Sequence, residues 1–136
     1  MLYRPTLSAT FEINGLTHVG NVRPHNEDAV GINGSILTGS GAFSETLSVH
    51  DATQPIHCIV ADGLGGHADG EIASEYAVRA LSKYGAEASG SVDFINSIHQ
   101  VNKEICGKSD EVLSFRPMGT TVCGVRLSNT SGVWFN

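Results

Sequence analysis

The run at residues 56–61 does most to constrain the fold. It is strongly apolar, it follows Pro55, and it gives way to Asp62-Gly63-Leu64-Gly65-Gly66. Such a run suits a strand covered on both faces. After the glycines the period changes. Ile72, Ala73, Tyr76, Ala77, Ala80, Leu81 and Tyr84 recur at three- and four-residue steps, which is one apolar face of a helix. Gly85 is the predicted stop. A second helix is predicted after Ser91 as N-cap, with Phe94, Ile95, Ile98, Val101 and Ile105 facing inward and Gly107 ending it.

Elsewhere the pattern reads as strands. Residues 9–13 and 16–20 form two short apolar runs around Asn14-Gly15, a strong hairpin signal. Residues 21–28 are polar, and 29–32 read as a strand. Residues 33–54 are rich in Gly, Ser and Thr, with Ile36-Leu37 as their only adjacent pair of large apolar residues, and read as a long loop or irregular hairpin. Residues 109–117 read as a connection, 120–127 as a strand, 128–132 as a turn, and Val133-Trp134-Phe135 as the start of a further strand. Strands, then two helices, then strands favour a layered α+β domain with mainly antiparallel pairing. The 136 residues suffice for one domain with a real core.

The formal charge of −6 disfavours a nucleic-acid partner held by phosphate neutralisation. No apolar run approaches membrane-spanning length, so no membrane partner is expected. The first residues carry no apolar secretory segment. Three cysteines, Cys58, Cys106 and Cys123, are widely spaced and lack C-x-x-C spacing. They read as reduced, buried thiols of a cytoplasmic protein.

Asp62, where the apolar run meets the glycines, has three readings. It caps the turn or helix that follows. Alternatively, Gly63 to Ala68 is a nucleotide-binding turn, since it fits G-x-G-x-x-A between a strand and a helix. That fingerprint wants a second strand ending in an acid about twenty residues on, where this chain is still helical, and an acid before the first glycine repels a pyrophosphate. In the third reading Asp62 is a metal ligand. Hard cations want several oxygen donors, and Arg23-Pro24-His25-Asn26-Glu27-Asp28 supplies candidates. Neighbouring side chains on an extended backbone point apart, so Glu27 and Asp28 would divide the work, one on the metal and one orienting a water. Arg23 offers a planar fork for phosphate.

Three segments together, "THVGNVRPHNEDAV" (residues 17–30), "IVADGLGGHADGEIAS" (59–74) and "MGTTVCGV" (118–125), resemble successive motifs of the metal-dependent PPM, or type 2C, serine/threonine phosphatases, the bacterial form above all. The resemblance implies an α-β-β-α sandwich of antiparallel sheets flanked by helices, with two Mn²⁺ or Mg²⁺ ions at one end. It implies that Asp62 bridges both metals, that Gly63 gives its carbonyl to one, that Glu27 binds directly or through water, and that Asp28 supports the site. Arg23 would hold the phosphate of a phosphoserine or phosphothreonine protein. Asp62 and Glu27 would then carry catalysis by a metal-activated water, with no protein nucleophile. Gly119, Thr120 and Thr121 are expected to shape a strand behind the site, and His67 to sit in the loop without a catalytic duty. Eukaryotic relatives carry histidine, a proposed acid, where this chain has Leu64.

The resemblance covers the first half of the family's domain. The family's later Gly-Asp-Ser-Arg segment and two further aspartates have no counterpart here. Residues 1–136 are therefore expected to form a single, incomplete PPM-type domain, with Val133, Trp134 and Phe135 exposed and metal held weakly. The alternative is a catalytically silent phosphatase-like chain that at most binds a phosphoprotein or partner.

Overall fold

The computed structural model describes residues 8–49, 54–64, 68–88, 90–111 and 118–136. Among the described residues, seven strands and two helices run in the order β1 (Ala9–Thr17), β2 (Asp28–Ile32), β3 (Ser35–Thr38), β4 (Gly41–Val49), β5 (Ile56–Leu64), α1 (Ala68–Glu87), α2 (Ser91–Glu111), β6 (Gly119–Leu127) and β7 (Gly132–Phe135). All pairing is antiparallel. One sheet has the order β3-β2-β5-β6-β7, and the other contains β1 and β4. The α+β class read from the element order is the observed one.

The first hairpin expectation is overturned. Asn14-Gly15 lies inside one continuous strand that pairs along its whole length with β4. Gly15 is there for space: a Cβ would sit 3.0 Å from the Phe43 ring and 3.2 Å from Val30 Cγ1. The Asn-Gly rule holds at the second such pair instead. Asn33 (φ 47°) and Gly34 (φ 96°) both take the left-handed region between Ile32 and Ser35, a two-residue type I′ turn. The segment expected to be a loop therefore contains β3 and β4. Its Ser/Thr alternation gives a weak strand signal because the half-buried face of β4 carries only Phe43, Leu47 and Val49 as large apolar residues.

The core lies between α1 and the five-stranded sheet. Ala73, Ala77, Val78 and Leu81 are fully buried against Ala29, Ile59 and Ala61. Ile72 and Ile95, read as inward-facing, are half exposed. α2 packs on α1, clamped by Glu104, which accepts from the Tyr76, Tyr84 and Gln100 side chains at 2.9 Å each. Neither helix stops at its expected glycine. α2 runs past Gly107, and α1 runs past Gly85, where a Cβ would meet Phe94 at 2.8 Å and His57 Nε2 at 2.9 Å. Gly85 is a packing residue, so its effect on helix propensity is overridden. The thiols differ from expectation too: Cys58 is half-buried, and Cys106 and Cys123 are exposed, because strand alternation and the outer helix face turn them outward. Of the three last-strand residues only Trp134 is strongly exposed; Val133 and Phe135 turn toward the helices, and Phe135 meets Phe94 edge-on at 4.8 Å. Among the described residues, no helix is long and apolar enough to cross a membrane.

His57 is buried, stacked on Phe94 at 5.5 Å, and opposite Arg126 in the β5–β6 ladder. Arg126 donates from Nη2 to the Ala88 carbonyl just past α1 at 3.1 Å. Burial, and secondarily the Arg126 charge, push the imidazole down to about 4. The unfolded chain binds that proton near pH 6.5, so stability is full above 6.5 and falls as the pH drops toward 4. Unfolding free energies from urea titrations should decline over that window by at most on the order of 3 kcal/mol, and His57→Leu should flatten the decline. Gly85→Ala should cost about 1–3 kcal/mol in the same assay despite alanine's better helix propensity, because the added methyl overlaps two rings.

Candidate metal centre

β2 and β5 bring the two acids of separate motifs to one place. Asp28, the first residue of β2, lies directly opposite Asp62 in the ladder, and Asp62 lies opposite Thr121 on β6. Opposed residues of an antiparallel pair share a face. That face points away from the helices, since the helix-side neighbours Ala61 and Gly63 are buried while Asp62 and Leu64 are exposed. β5 extends through Leu64, so Asp62 sits two residues inside the strand rather than at its end. Its position is fixed by ladder hydrogen bonds, which is a firmer mount than a turn.

The two carboxylates strain against each other. Burial, and then the charge of Asp62 and a hydrogen bond to its carboxylate, raise the Asp28 pKa, while Arg23 offsets part of this; Glu27 adds the smallest push. Arg23 thus acts on Asp28 electrostatically from the exposed 20–25 segment. Glu27 and Asp28 diverge as the extended geometry requires. Glu27 reaches toward the first turn of α1: a Cβ on Gly70 would lie 2.8 Å from Glu27 Oε2. The Glu27 carbonyl accepts from the Gly63 N–H at 3.0 Å. A Cβ on Gly63 would fall on the Gly70 carbonyl and 2.8 Å from the Glu27 carbonyl. Only glycine at 63 and 70 lets strand, loop and helix backbone meet here.

Two further groups hold the acids, and sequence reasoning did not assign them this duty. Thr120 donates its hydroxyl to the Asp62 carbonyl at 2.9 Å, and the Asp62 N–H donates to Thr121 Oγ1 at 3.3 Å. The threonines therefore clasp Asp62 itself. Asn26 is buried; its Oδ1 accepts from the Asp28 N–H at 3.1 Å, and its Nδ2 donates to Thr17 Oγ1 at 2.6 Å and to the Gly39 carbonyl. Its place in Asn26-Glu27-Asp28 was the available signal. His67 and the Gly65-Gly66 pair lie outside the described residues. Among the described residues no three His, Cys, Asp or Glu side chains converge on one point.

The chain is 34% identical over 127 residues to the serine/threonine phosphatase Stp of Listeria monocytogenes serotype 4b, a match covering 88% of this chain and 44% of that protein. This chain is similar to serine/threonine phosphatases of the PPM type over the N-terminal part of their length. It resembles the PPM Ser-Thr phosphatase MsPP from Mycobacterium smegmatis, solved with cacodylate, at 26% identity and TM-score 0.52, covering 86% of this chain and 38% of that one. The PstP catalytic domain, solved with two manganese ions, shares the fold at TM-score 0.61 and 23% identity, over 89% and 44% of the two chains. No protein-family model matches the chain. The chain spans less than half the length of the Listeria relative.

The arrangement fits a hard cation. The donors are all oxygen, and two carboxylates held in register oppose each other until positive charge lies between them. The raised Asp28 pKa means that the ionised acid costs the metal-free fold stability as the pH rises through its titration. Asp28→Asn should therefore raise the melting temperature of the metal-free chain at pH 7 by about 1–4 °C, allowing for solvent screening, and leave it unchanged near pH 3. Thermal scans at the two pH values test this.

Proposed function

We propose that this chain carries part of the active site of a phosphoprotein phosphatase that hydrolyses phosphoserine and phosphothreonine with Mn²⁺ or Mg²⁺. The observation that carries the reading is the opposed Asp28–Asp62 pair, assembled from two motifs 34 positions apart, with the Arg23 charge acting on Asp28. Relatives named serine/threonine phosphatases support it, as does a fold neighbour holding two manganese ions.

In this reading Asp62 is the central ligand, and Asp28 and the Gly63 carbonyl stand beside it. Glu27 contributes directly or through water. When bound, a pair of divalent cations supplies an acidified water and screens the phosphate charge. The chain's own residues position and select. Arg23 presents two parallel donors to the phosphate. Thr120 and Thr121 keep the Asp62 backbone from swinging, and Asn26 does the same for Asp28. Leu64, exposed on the Asp62 face, has no proton to give, so the leaving oxygen takes its proton from water or another group. The substrate is a phosphoprotein, and three unbridged thiols support a cytoplasmic location.

Residues 1–136 form one domain unit in this proposal, and with few carboxylates converging its hold on metal is weak. Titration of the chain with Mn²⁺, followed by the EPR signal of the free ion, should give a dissociation constant of about 0.1–1 mM, lost in Asp62→Ala. No uptake at all would remove the reading. On a phosphothreonine peptide the chain alone should show negligible turnover. Robust turnover abolished by Asp62→Ala would instead establish that these few ligands suffice. In a longer, active form, Arg23→Ala should raise KM about tenfold or more, the loss of a charged hydrogen bond.

A further inference from the structure

The rung next to the acid pair is open. Asp62 lies opposite Thr121, and two residues further along β5 Leu64 lies opposite Gly119. Opposed residues share a face, and residues two apart on a strand share it too. Leu64 and Gly119 therefore stand on the face that carries Asp28 and Asp62, about 7 Å along the strand from the acids. Leu64 is 74% exposed. A Cβ built on Gly119 would meet nothing within 4 Å among the described residues, and Gly119 is not one of the glycines held at positive φ. Neither crowding nor backbone conformation thus calls for glycine here. A glycine in a strand without such a reason marks a place where a ligand or another backbone comes close. An exposed leucine alone is ordinary on a protein surface. This one walls a notch floored by glycine backbone, and the notch opens beside two carboxylates and the Arg23 charge.

We propose that this notch selects among phosphoproteins by seating an apolar side chain two residues from the phosphorylated serine or threonine. The inference rests on the phosphatase reading and adds to it the sequence context of the substrate. The match is one of period. An extended peptide also advances about 3.4 Å per residue and turns alternate side chains to one side. With the phosphorylated side chain aimed at Asp28, Asp62 and Arg23, the side chain two residues away falls about 7 Å along, over Leu64 and the Gly119 backbone. The residue between them points out to water. Leu64 shields an apolar group seated there from solvent. A polar group would give up hydrogen bonds to water that an isobutyl side chain cannot return. Leu64 is thereby a specificity-determining residue with no part in the chemistry, and the missing side chain at Gly119 supplies the room.

The test reads binding, so it does not depend on turnover. The full 136-residue chain, with its leucine methyl groups carrying ¹³C, is titrated in Mg²⁺ with phosphothreonine peptides that differ only in leucine or serine at the second position on one side or the other. One of the two leucine peptides should bind about three- to tenfold more tightly than its serine counterpart and should shift the Leu64 methyl signals. Leu64→Ser and Gly119→Val should each abolish the difference, the first by removing the wall and the second by filling the notch. Both should leave the circular dichroism unchanged, because neither site is packed in the free chain. Equal affinity for leucine and serine peptides, in binding that Arg23→Ala abolishes, overturns the notch and leaves the phosphatase reading standing. Equal shifts from an unphosphorylated leucine peptide overturn it as well, since the surface is then a general apolar contact. Failure of every phosphopeptide and of inorganic phosphate to bind removes the phosphatase reading and the notch with it.

Discussion

The antiparallel register between β2 and β5 is the constraint on which the site depends. It sets Asp28 opposite Asp62, and a one-residue slip would send one of them to the helix side. The register is pinned at both ends. At one end Asn33 and Gly34 make a two-residue turn, and the Asn33 N–H donates to the His57 carbonyl at 2.8 Å. At the other end the Glu27 carbonyl takes the Gly63 N–H. Between them the helix-side residues Ala29 and Ala61 are fully buried, so the ladder cannot shift without emptying the core.

Like charges at directly opposed positions destabilise a sheet. This sheet tolerates a pair because the surrounding backbone leaves it little freedom to relax: threonines hold one acid, an asparagine holds the other, and glycines let the helix start close behind. Such a pair is relieved by a proton shared between the acids or by positive charge beside them. The nearby guanidinium of Arg23 offsets only part of the repulsion.

Much of this was legible in the residues. The strand at 56–61, both helices, the strand at 120–127 and the association of Asp62 with the Glu27-Asp28 pair all follow from periodicity, residue chemistry and motif resemblance. What was not legible has a common cause. Gly15, Gly85 and Gly107 were read as punctuation. At Gly15 and Gly85, tertiary contact decides: Phe43 fills the space beside one, and His57 and Phe94 fill the space beside the other. Local propensity carries no information about a ring arriving from a distant strand. β3 and β4 were missed because their polar alternation belongs to a layer with one side open, where Ser and Thr are as acceptable as Val. The work of Asn26 was hidden for the opposite reason: a buried amide reveals itself only through the partners that satisfy it.

Those partners give Asn26 a wider significance. One side chain touches the end of β1 at Thr17, the bend between β3 and β4 at Gly39, and the first amide of β2. It is a rivet through both sheets, one hydrogen bond away from Asp28. Cutting the Asn26 side chain back would release β1 and the Asp28 amide together, so the seam between the sheets and the placement of that acid share one fastening.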